Sequence, residues 1–299
     1  MKIKSSAPRK LFLAVNVIVL LTIGLICVLP FINVLAISFS GKIAVTAGKV
    51  TFLPVDFNTD AYTFITRSSA FVKALVVSVE RTVLGVAVNL ILIVITAYPL
   101  SKPKSEFHAR NFISWYFVLT ILFSGGLIPS YMIVRYTGLM DNILALVLPG
   151  SLPVFSMLVV MNYMRGLPHE LEEAAYIDGA SHIRTLIHVV LPISTPTIAT
   201  VTLFSFVGHW NSWFDGLIYM NSPEHYPLQS YLQTVVTNPE SFFRQTTNLN
   251  EDLKTMLNLV NSRTANAAQL FLATLPILAV YPFLQKYFTT GLVMGSVKG

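Results

Sequence analysis

The chain has 299 residues, of which 54% are hydrophobic and only 11% charged, with a net charge of +6 and a mean hydropathy of +0.66. Ordinary soluble domains carry about 25% charged residues, so this composition excludes a soluble globular enzyme, and its hydrophobicity excludes a disordered chain. The basic excess favours loops beside a membrane over nucleic-acid binding. The single cysteine, Cys27, excludes a disulfide framework and a cysteine-based metal site.

Apolar stretches long enough to cross a bilayer, about 20 residues each, recur six times along the chain. They predict an all-α multi-spanning membrane protein with six transmembrane helices, over residues 11–41, 82–101, 111–134, 142–164, 185–214 and 264–285. The first stretch is longer than the apolar region of a signal peptide, so we expect it to remain as an anchor. The predicted organisation is a tail, first helix and outer segment over residues 1–70, a core transmembrane domain over 71–290, and a tail over 291–299.

Positive charge predicts the orientation, because cytoplasmic loops are enriched in Lys and Arg. The first ten residues contain Lys2, Lys4, Arg9 and Lys10 without any acid, so both termini are predicted to be cytoplasmic. Two long outer segments follow, over about 42–71 and 221–263. The second ends in an amphipathic helix pattern over 251–263, formed by Leu253, Met256, Leu257 and Val260, which either caps the bundle or contacts an external partner.

Residues 166–192, GLPHELEEAAYIDGASHIRTLIHVVLP, predict a helix, a glycine turn and a second helix on the cytoplasmic side. Pro168 suits the first turn of a helix, and Gly179 can adopt the left-handed conformation that ends one. Ser181 can cap the next helix, which Pro192 stops or redirects. The small residues of the first helix let another protein approach closely, with Ile177 as a projecting apolar side chain.

The spacing within this loop resembles the EAA loop of permeases from importers driven by ATP-binding cassettes. Glu173-Ala174-Ala175 is followed after three residues by Gly179, and after nine more by Val189-x-Leu191-Pro192, where the usual pattern has Ile in place of Val. The segments TAYPLSKPKS (96–105) and GHWNSWFDGLIYMN (208–221) are similar to the carbohydrate-importer branch, which includes the smaller membrane subunit of the maltose importer. FSGGLIPSYMIV (123–134) resembles importers of complex oligosaccharides, with alginate oligosaccharides as one candidate substrate.

The resemblance implies a permease subunit that forms half of a translocation pathway for a sugar or oligosaccharide in the bacterial plasma (inner) membrane. The implied partners are a second homologous permease, two cytosolic ATP-binding-cassette subunits and an external solute-binding protein; no nucleic acid is expected. The implied docking and coupling residues are Glu173, Ala174, Ala175, Ile177, Asp178, Gly179, Leu191 and Pro192. The chain lacks a GxxxxGK[ST] phosphate loop, so we expect Mg-ATP on the partner ATPase and no cofactor in this chain. No catalytic or metal-binding residue is expected for such a permease.

Polar and aromatic residues within the predicted spans are candidates for a substrate path, because charges in a bilayer are costly. The candidates are Arg81, Asn89, Trp210, Asn211, Trp213 and Asp215. Four of them have a simpler alternative: Arg81 snorkels to the interface, Asn89 forms an interhelical hydrogen bond, and the two tryptophans form an interfacial belt. His188 and His209 are expected to be structural.

Two other functional classes remain open from the residues alone. An intramembrane hydrolase would need a nucleophile and a base such as Ser205 and His209, which lie one helical turn apart. The sequence shows no nucleophile elbow around Ser205, and a hydrolase would leave the EAA-like loop unexplained. A secondary transporter would be expected to show an inverted repeat or a buried acid for ion coupling, and neither is visible in the sequence.

Overall fold

A computed structural model describes residues 7–237 and 260–296, and every regular element within these ranges is helical. The residues divide into two compact units with the bounds Met1–Val72 plus Thr234–Leu275, and Lys73–Gln233 plus Pro276–Gly299. The helices are α1 (Ala7–Ser38), α2 (Lys42–Thr46), α3 (Asp60–Arg67), α4 (Ser69–Ser101), α5 (Arg110–Leu122), α6 (Leu127–Tyr136), α7 (Leu144–Val147), α8 (Val154–Arg165), α9 (Glu170–Ile177), α10 (His182–Thr185), α11 (Leu191–Ile193), α12 (Thr195–Asn211), α13 (Phe214–Tyr219), α14 (Leu228–Thr237) and α15 (Ser262–Ser296). A π-helical turn (Leu186–Val190) and a short 3-10 helix (Pro223–His225) complete them.

Three helices within the described ranges are long and apolar enough to cross a membrane: Pro8–Ser38, Ser69–Ser101 and Ser262–Pro282. They correspond to the first, second and sixth predicted spans. Two bent helix pairs raise the number of candidate spans to as many as five. The second span begins at Ser69 rather than residue 82, because the helix continues through the charged residues Glu80 and Arg81 that precede the apolar stretch.

The prediction of one continuous helix over 111–134 is wrong. Helix α5 ends at Leu122, α6 begins at Leu127, and the two axes differ by 114°. The intervening residues are FSGG, and Gly126 has a φ of +84°, which a helix cannot contain. Glycine lowers the helix propensity of this segment and so favours a break. Hydropathy does not detect the break, because glycine and phenylalanine keep the segment apolar.

The predicted spans over 142–164 and 185–214 are also interrupted. Residues 148–153 separate α7 from α8 and contain Pro149, Gly150 and Pro153, leaving α8 as an apolar helix of only 12 residues. The segment His182–Ile193 meets α12 at an angle of 82° near Ser194. Proline removes a backbone donor and clashes with the preceding turn, so the prolines at 192 and 196 account for this bend.

The first unit contains a local cluster that orders the chain after α1. Phe39 stacks on Phe57 with ring centroids 5.3 Å apart, and the Tyr62 hydroxyl lies 2.7 Å from Oγ of Ser38. The amide of Asn58 donates to the carbonyl of Phe39 at 3.0 Å, which ties the loop to the start of α3. Much of the predicted outer segment 42–71 is therefore folded.

The predicted amphipathic helix at 251–263 falls mostly on residues 251–259, which lie outside the described residues. Val260 is buried, and Asn261 donates through Nδ2 to Oγ1 of Thr46 at 3.1 Å within the first unit.

The second unit contains two apolar clusters that position the candidate sites. The larger joins α4, α8, the π-helical turn and α12 through fully buried residues that include Ile93, Met157, Val190 and Val201. The smaller joins α6, α7 and α13 around Val134, Leu146 and Tyr219. The larger cluster holds the C-terminal end of α4 against the loop at 166–192, with Leu100 and Val190 both buried in it.

Candidate functional site

The loop at 166–192 forms the predicted helix, glycine turn and second helix, but α9 begins at Glu170, so Pro168 precedes the helix instead of lying in its first turn. Helix α9 ends at Ile177, and Gly179 has a φ of +81° at the turn. Oγ of Ser181 accepts from the amide of Arg184 at 3.4 Å and caps α10. Pro192 does not stop the second helix but lies just before the bend into α12.

The faces of α9 divide the predicted coupling residues into two groups. Glu173, Ala174, Ile177, Asp178, Gly179 and Pro192 are exposed, whereas Ala175 and Leu191 are half-buried. Ile177 is 86% exposed, which is unusual for an isoleucine outside a membrane-spanning segment. The exposed face is centred on Ala174 and Ile177, and Ala175 lies on the other face, beside Glu172 and Tyr176.

The inward face of α9 meets the end of α4 through a polar cluster that the sequence analysis missed. Lys102 forms an ion pair with Glu172, and its Nζ lies 4.5 Å from the ring centroid of Tyr98. The Tyr176 hydroxyl lies 2.9 Å from Nδ1 of His182 and 3.4 Å from the hydroxyl of Tyr98. The one sequence signal for Lys102 is its place directly after the TAYPLS segment.

A second polar cluster joins α4 to the segment that follows α12. Arg81 is only 2% exposed, and both of its terminal nitrogens contact Asp215, with Nη1 donating to Oδ1 at 3.2 Å. Nη1 also donates to the carbonyl of Ser212 at 3.0 Å, and Oγ of Ser212 donates to Oδ1 of Asp215 at 2.8 Å. The amide of Gly216 donates to the same carboxylate at 2.9 Å. The structure thus pairs two of the predicted path residues, and Arg81 does not snorkel.

Asn89 and His209 form a third contact between α4 and α12. With its oxygen toward the ring, Asn89 accepts from Nε2 of His209 at 3.2 Å, while its nitrogen donates to the carbonyls of Ser151 at 2.9 Å and Gly85 at 3.1 Å. This orientation places the imidazole proton on Nε2. The ring packs directly over Gly85, where an added Cβ would lie 2.4 Å from Nε2. His209 is therefore structural, as expected, and Asn89 bonds between helices.

Three of the six predicted path residues line one cavity of about 410 Å³ in the second unit: Arg81, Asn89 and Asp215. Ser156, Ser205, Ser212 and His209 add polar groups to its wall, which the sequence analysis did not assign to a path. Trp210, Asn211 and Trp213 are not part of the wall. Trp210 is buried and stacked on Phe206, whereas Asn211 and Trp213 are exposed.

Comparison with known proteins places the chain in one family. The model of the "Binding-protein-dependent transport system inner membrane component" family matches residues 10–294. Protein LplC of Bacillus subtilis (strain 168) is 39% identical over 291 residues, covering 97% of this chain and 96% of its own length. The polygalacturonan/rhamnogalacturonan transport system permease protein YtcP of the same organism is 37% identical over 282 residues, covering 94% and 96%.

A solved structure is similar over the same length. One chain in the crystal structure of a bacterial ABC transporter involved in the import of the acidic polysaccharide alginate superposes with a TM-score of 0.85 and 31% identity. The match covers 96% of this chain and 100% of that chain.

The chain belongs to this family and is a multi-pass inner-membrane permease subunit of a binding-protein-dependent ABC importer. The predicted resemblance to the carbohydrate-importer branch is confirmed. Permeases of this family have no catalytic activity of their own, and ATP is bound and hydrolysed on a separate subunit. The hydrolase and secondary-transporter alternatives are therefore wrong.

Proposed function

We propose that this permease carries an acidic oligosaccharide through a path that includes the cavity at Arg81 and Asp215. The names of two similar proteins support the substrate class, because polygalacturonan and the acidic polysaccharide alginate both bear carboxylates. The observation that carries the proposal is the ion pair between buried Arg81 and half-buried Asp215 at the wall of a polar cavity.

The pair explains how an anionic sugar passes an aspartate. An isolated Asp215 would repel a substrate carboxylate, but Arg81 neutralises it at contact distance. Ser205 and Ser212 then supply neutral hydroxyl groups for the hydroxyls of the sugar. In this arrangement the cavity tolerates a carboxylate without binding it so tightly that release becomes slow.

The second part of the proposal concerns coupling. Helix α9 lies on the cytoplasmic side and docks in a groove of the ATPase through Ala174 and Ile177, with Glu173 at the rim of the contact. An isoleucine that is 86% exposed on a short helix supports this, because burial on a partner would remove that apolar surface from water. Gly179 permits the sharp return of the chain toward Leu191.

The third part concerns topology and assembly. The chain crosses the membrane six times with both termini in the cytoplasm, counting each bent pair and the short α8 with α7 as one span. It pairs with a second homologous permease, and two ATPase subunits and an external binding protein complete the importer. The basic first ten residues and the length of α1, α4 and α15 support this arrangement.

Substrate charge is tested in the purified importer, reconstituted in proteoliposomes with its binding protein. Trigalacturonate or an alginate trisaccharide is compared with maltotriose, and uptake of maltotriose alone would contradict the proposed substrate class. Asp215→Asn unmasks the charge of Arg81. A substrate carboxylate about 8 Å away then gains ~1 kcal/mol at an effective dielectric constant of about 40. That energy corresponds to a rise of about fivefold in the ratio of acidic to neutral uptake.

The matched control is Glu224→Gln, which removes an exposed carboxylate whose partner, Lys73, is exposed as well. It should leave the uptake ratio unchanged. Arg81→Gln combined with Asp215→Asn removes both charges and should return the ratio toward that of the unaltered protein. If neither Asp215→Asn nor Trp213→Ala changes the uptake of any sugar, this segment does not border the path.

A further inference from the structure

We propose that Lys102 and Glu172 form an ion-pair latch that fixes the coupling helix to the inner end of α4, which makes Lys102 a positioning residue for energy coupling. The inference rests on the proposed role of α9 in docking the ATPase. It adds the residues through which movement of α9 reaches the membrane-spanning helices.

Helix α9 needs an anchor because it cannot hold itself in place. It has only eight residues, all of them described, and none is buried. Isolated helices of this length are marginal in water, so tertiary contacts must fix it. The side chains that turn inward are Glu172, Ala175 and Tyr176, of which Glu172 and Tyr176 make the polar contacts to α4.

The other arm of the loop is held by apolar packing, because Val190 is buried in the same cluster as Ile93 of α4. A cavity of about 910 Å³ lies between α4 and the helix after Gly179, with Val94 and Tyr98 on one wall and Ile183 and Ile187 on the other. Lys102 and His182 lie at the wall of the same cavity. Helix α9 contributes no residue to that apolar cluster, so its polar contacts are what join it to the end of α4.

Lys102 is itself fixed by neighbouring helices. Only 8% of the residue is exposed, and its backbone carbonyl accepts from Nη1 of Arg110 at the start of α5 at 3.2 Å. Two residues earlier, the carbonyl of Leu100 accepts from Nη2 of Arg165 at the end of α8 at 3.3 Å. A force on Glu172 thus reaches the ends of α4, α5 and α8 together.

Both side chains of the ion pair are largely shielded from solvent, which strengthens their attraction. The side chain of Lys102 is 9% exposed and that of Glu172 is 15% exposed, so solvent screens them little. The ring of Tyr98 adds a cation–π contact to the same ammonium group. Removal of either partner leaves a buried charge unpaired, whereas exchange of the two charges keeps the pair.

The test uses the complete importer with its ATPase and binding protein in proteoliposomes. Lys102→Glu and Glu172→Lys are compared with the double exchange, and Lys104→Glu is the control because it makes the same charge change at an exposed neighbour. The readouts are uptake, the ratio of substrate-stimulated to basal ATP hydrolysis, and the amount of ATPase that copurifies.

Each single variant should lower uptake and the stimulation ratio by about tenfold or more, because an unpaired buried charge is strongly unfavourable. The double exchange restores a pair of opposite charges, so uptake and the stimulation ratio should recover to within about threefold of the unaltered importer. Recovery is incomplete because Glu106 remains close to the carboxylate now at position 102. Lys104→Glu should have no effect. If a single variant fails to accumulate, recovery of both accumulation and uptake in the double exchange supports the latch.

The latch is overturned if either single variant retains normal stimulation, or if the double exchange is as impaired as the single variants. Ala174→Leu separates this outcome from failure of the docking proposal. If Ala174→Leu loses the ATPase while Lys102→Glu is normal, only the latch is wrong. If Ala174→Leu retains both the ATPase and uptake, the docking role of α9 is wrong.

Discussion

The contact between Gly85 of α4 and His209 of α12 allows the sharpest structural prediction. An added Cβ at Gly85 would lie 2.4 to 2.6 Å from three atoms of the imidazole ring, so Gly85→Ala cannot be accommodated unless the ring moves. The ring is not the free end of a flexible chain, because its Nε2 donates to Asn89 at 3.2 Å. Displacement breaks that hydrogen bond as well.

The expected cost combines two effects. Overpacking costs ~1–3 kcal/mol, and a buried polar group left without its partner costs ~1–3 kcal/mol. Because ring movement relieves part of the overlap, we expect Gly85→Ala to destabilise the permease by about 2–4 kcal/mol in sum. That is a substantial part of the ~5–15 kcal/mol that stabilises an ordinary domain.

Gly208→Ala is the matched control, since it lies on the same stretch of α12 and an added Cβ there would meet no atom within 4 Å. Thermal unfolding of the purified importer, followed by size-exclusion chromatography, should show a clear loss for Gly85→Ala and none for Gly208→Ala. In a His209→Ala background, Gly85→Ala should cost little because the ring is absent. Equal stability of the two glycine variants would refute the packing argument.

Three further predictions concern the loops. Gly179→Val should abolish substrate-stimulated ATP hydrolysis, measured in proteoliposomes, because a β-branched residue is strongly disfavoured at a φ of +81°. The hydrogen bond from His225 holds the pKa of Asp141 below its usual value, so its stabilising effect is present at neutral pH and lost as the pH falls through that lowered pKa. The melting-temperature difference between the unaltered protein and Asp141→Asn should therefore shrink below about pH 4. Reporters fused after Gly299 and near His108 should both be cytoplasmic, and an external signal after Gly299 would contradict six spans.

Composition and motif spacing are sufficient to predict the class of the protein, because the apolar spans and the EAA pattern are both properties of short stretches of sequence. The helix, turn and cap at Gly179 and Ser181 followed from the same local logic. The continuity of the spans was not predictable by hydropathy. A window average is unchanged by the FSGG break before Leu127 or by the prolines after α7, although these residues decide where the helix stops.

Pairing between distant residues was beyond the reach of the sequence for a different reason. Arg81 and Asp215 are 134 positions apart, and nothing local to either residue indicates that they meet. Both are predicted path residues, so their residue types are informative although the sequence does not show that they pair. Lys102 and Glu172 gave no comparable signal, because a charge in a basic loop and an acid in the first turn of a helix are ordinary surface features.

The two polar pairs are well separated along one helix, which bears on how the importer transmits motion under the proposed function. Arg81 is near the outer third of α4 and Lys102 directly follows its last residue, and about 20 residues at 1.5 Å each separate them by ~30 Å, the thickness of a bilayer core. The two sites are joined by one continuous helix, so a displacement of one along the helix axis is transmitted to the other. Any movement of the latch must therefore move Arg81 or bend α4. Bending costs least at Pro99, about one turn from Lys102, where the backbone hydrogen bond is already missing.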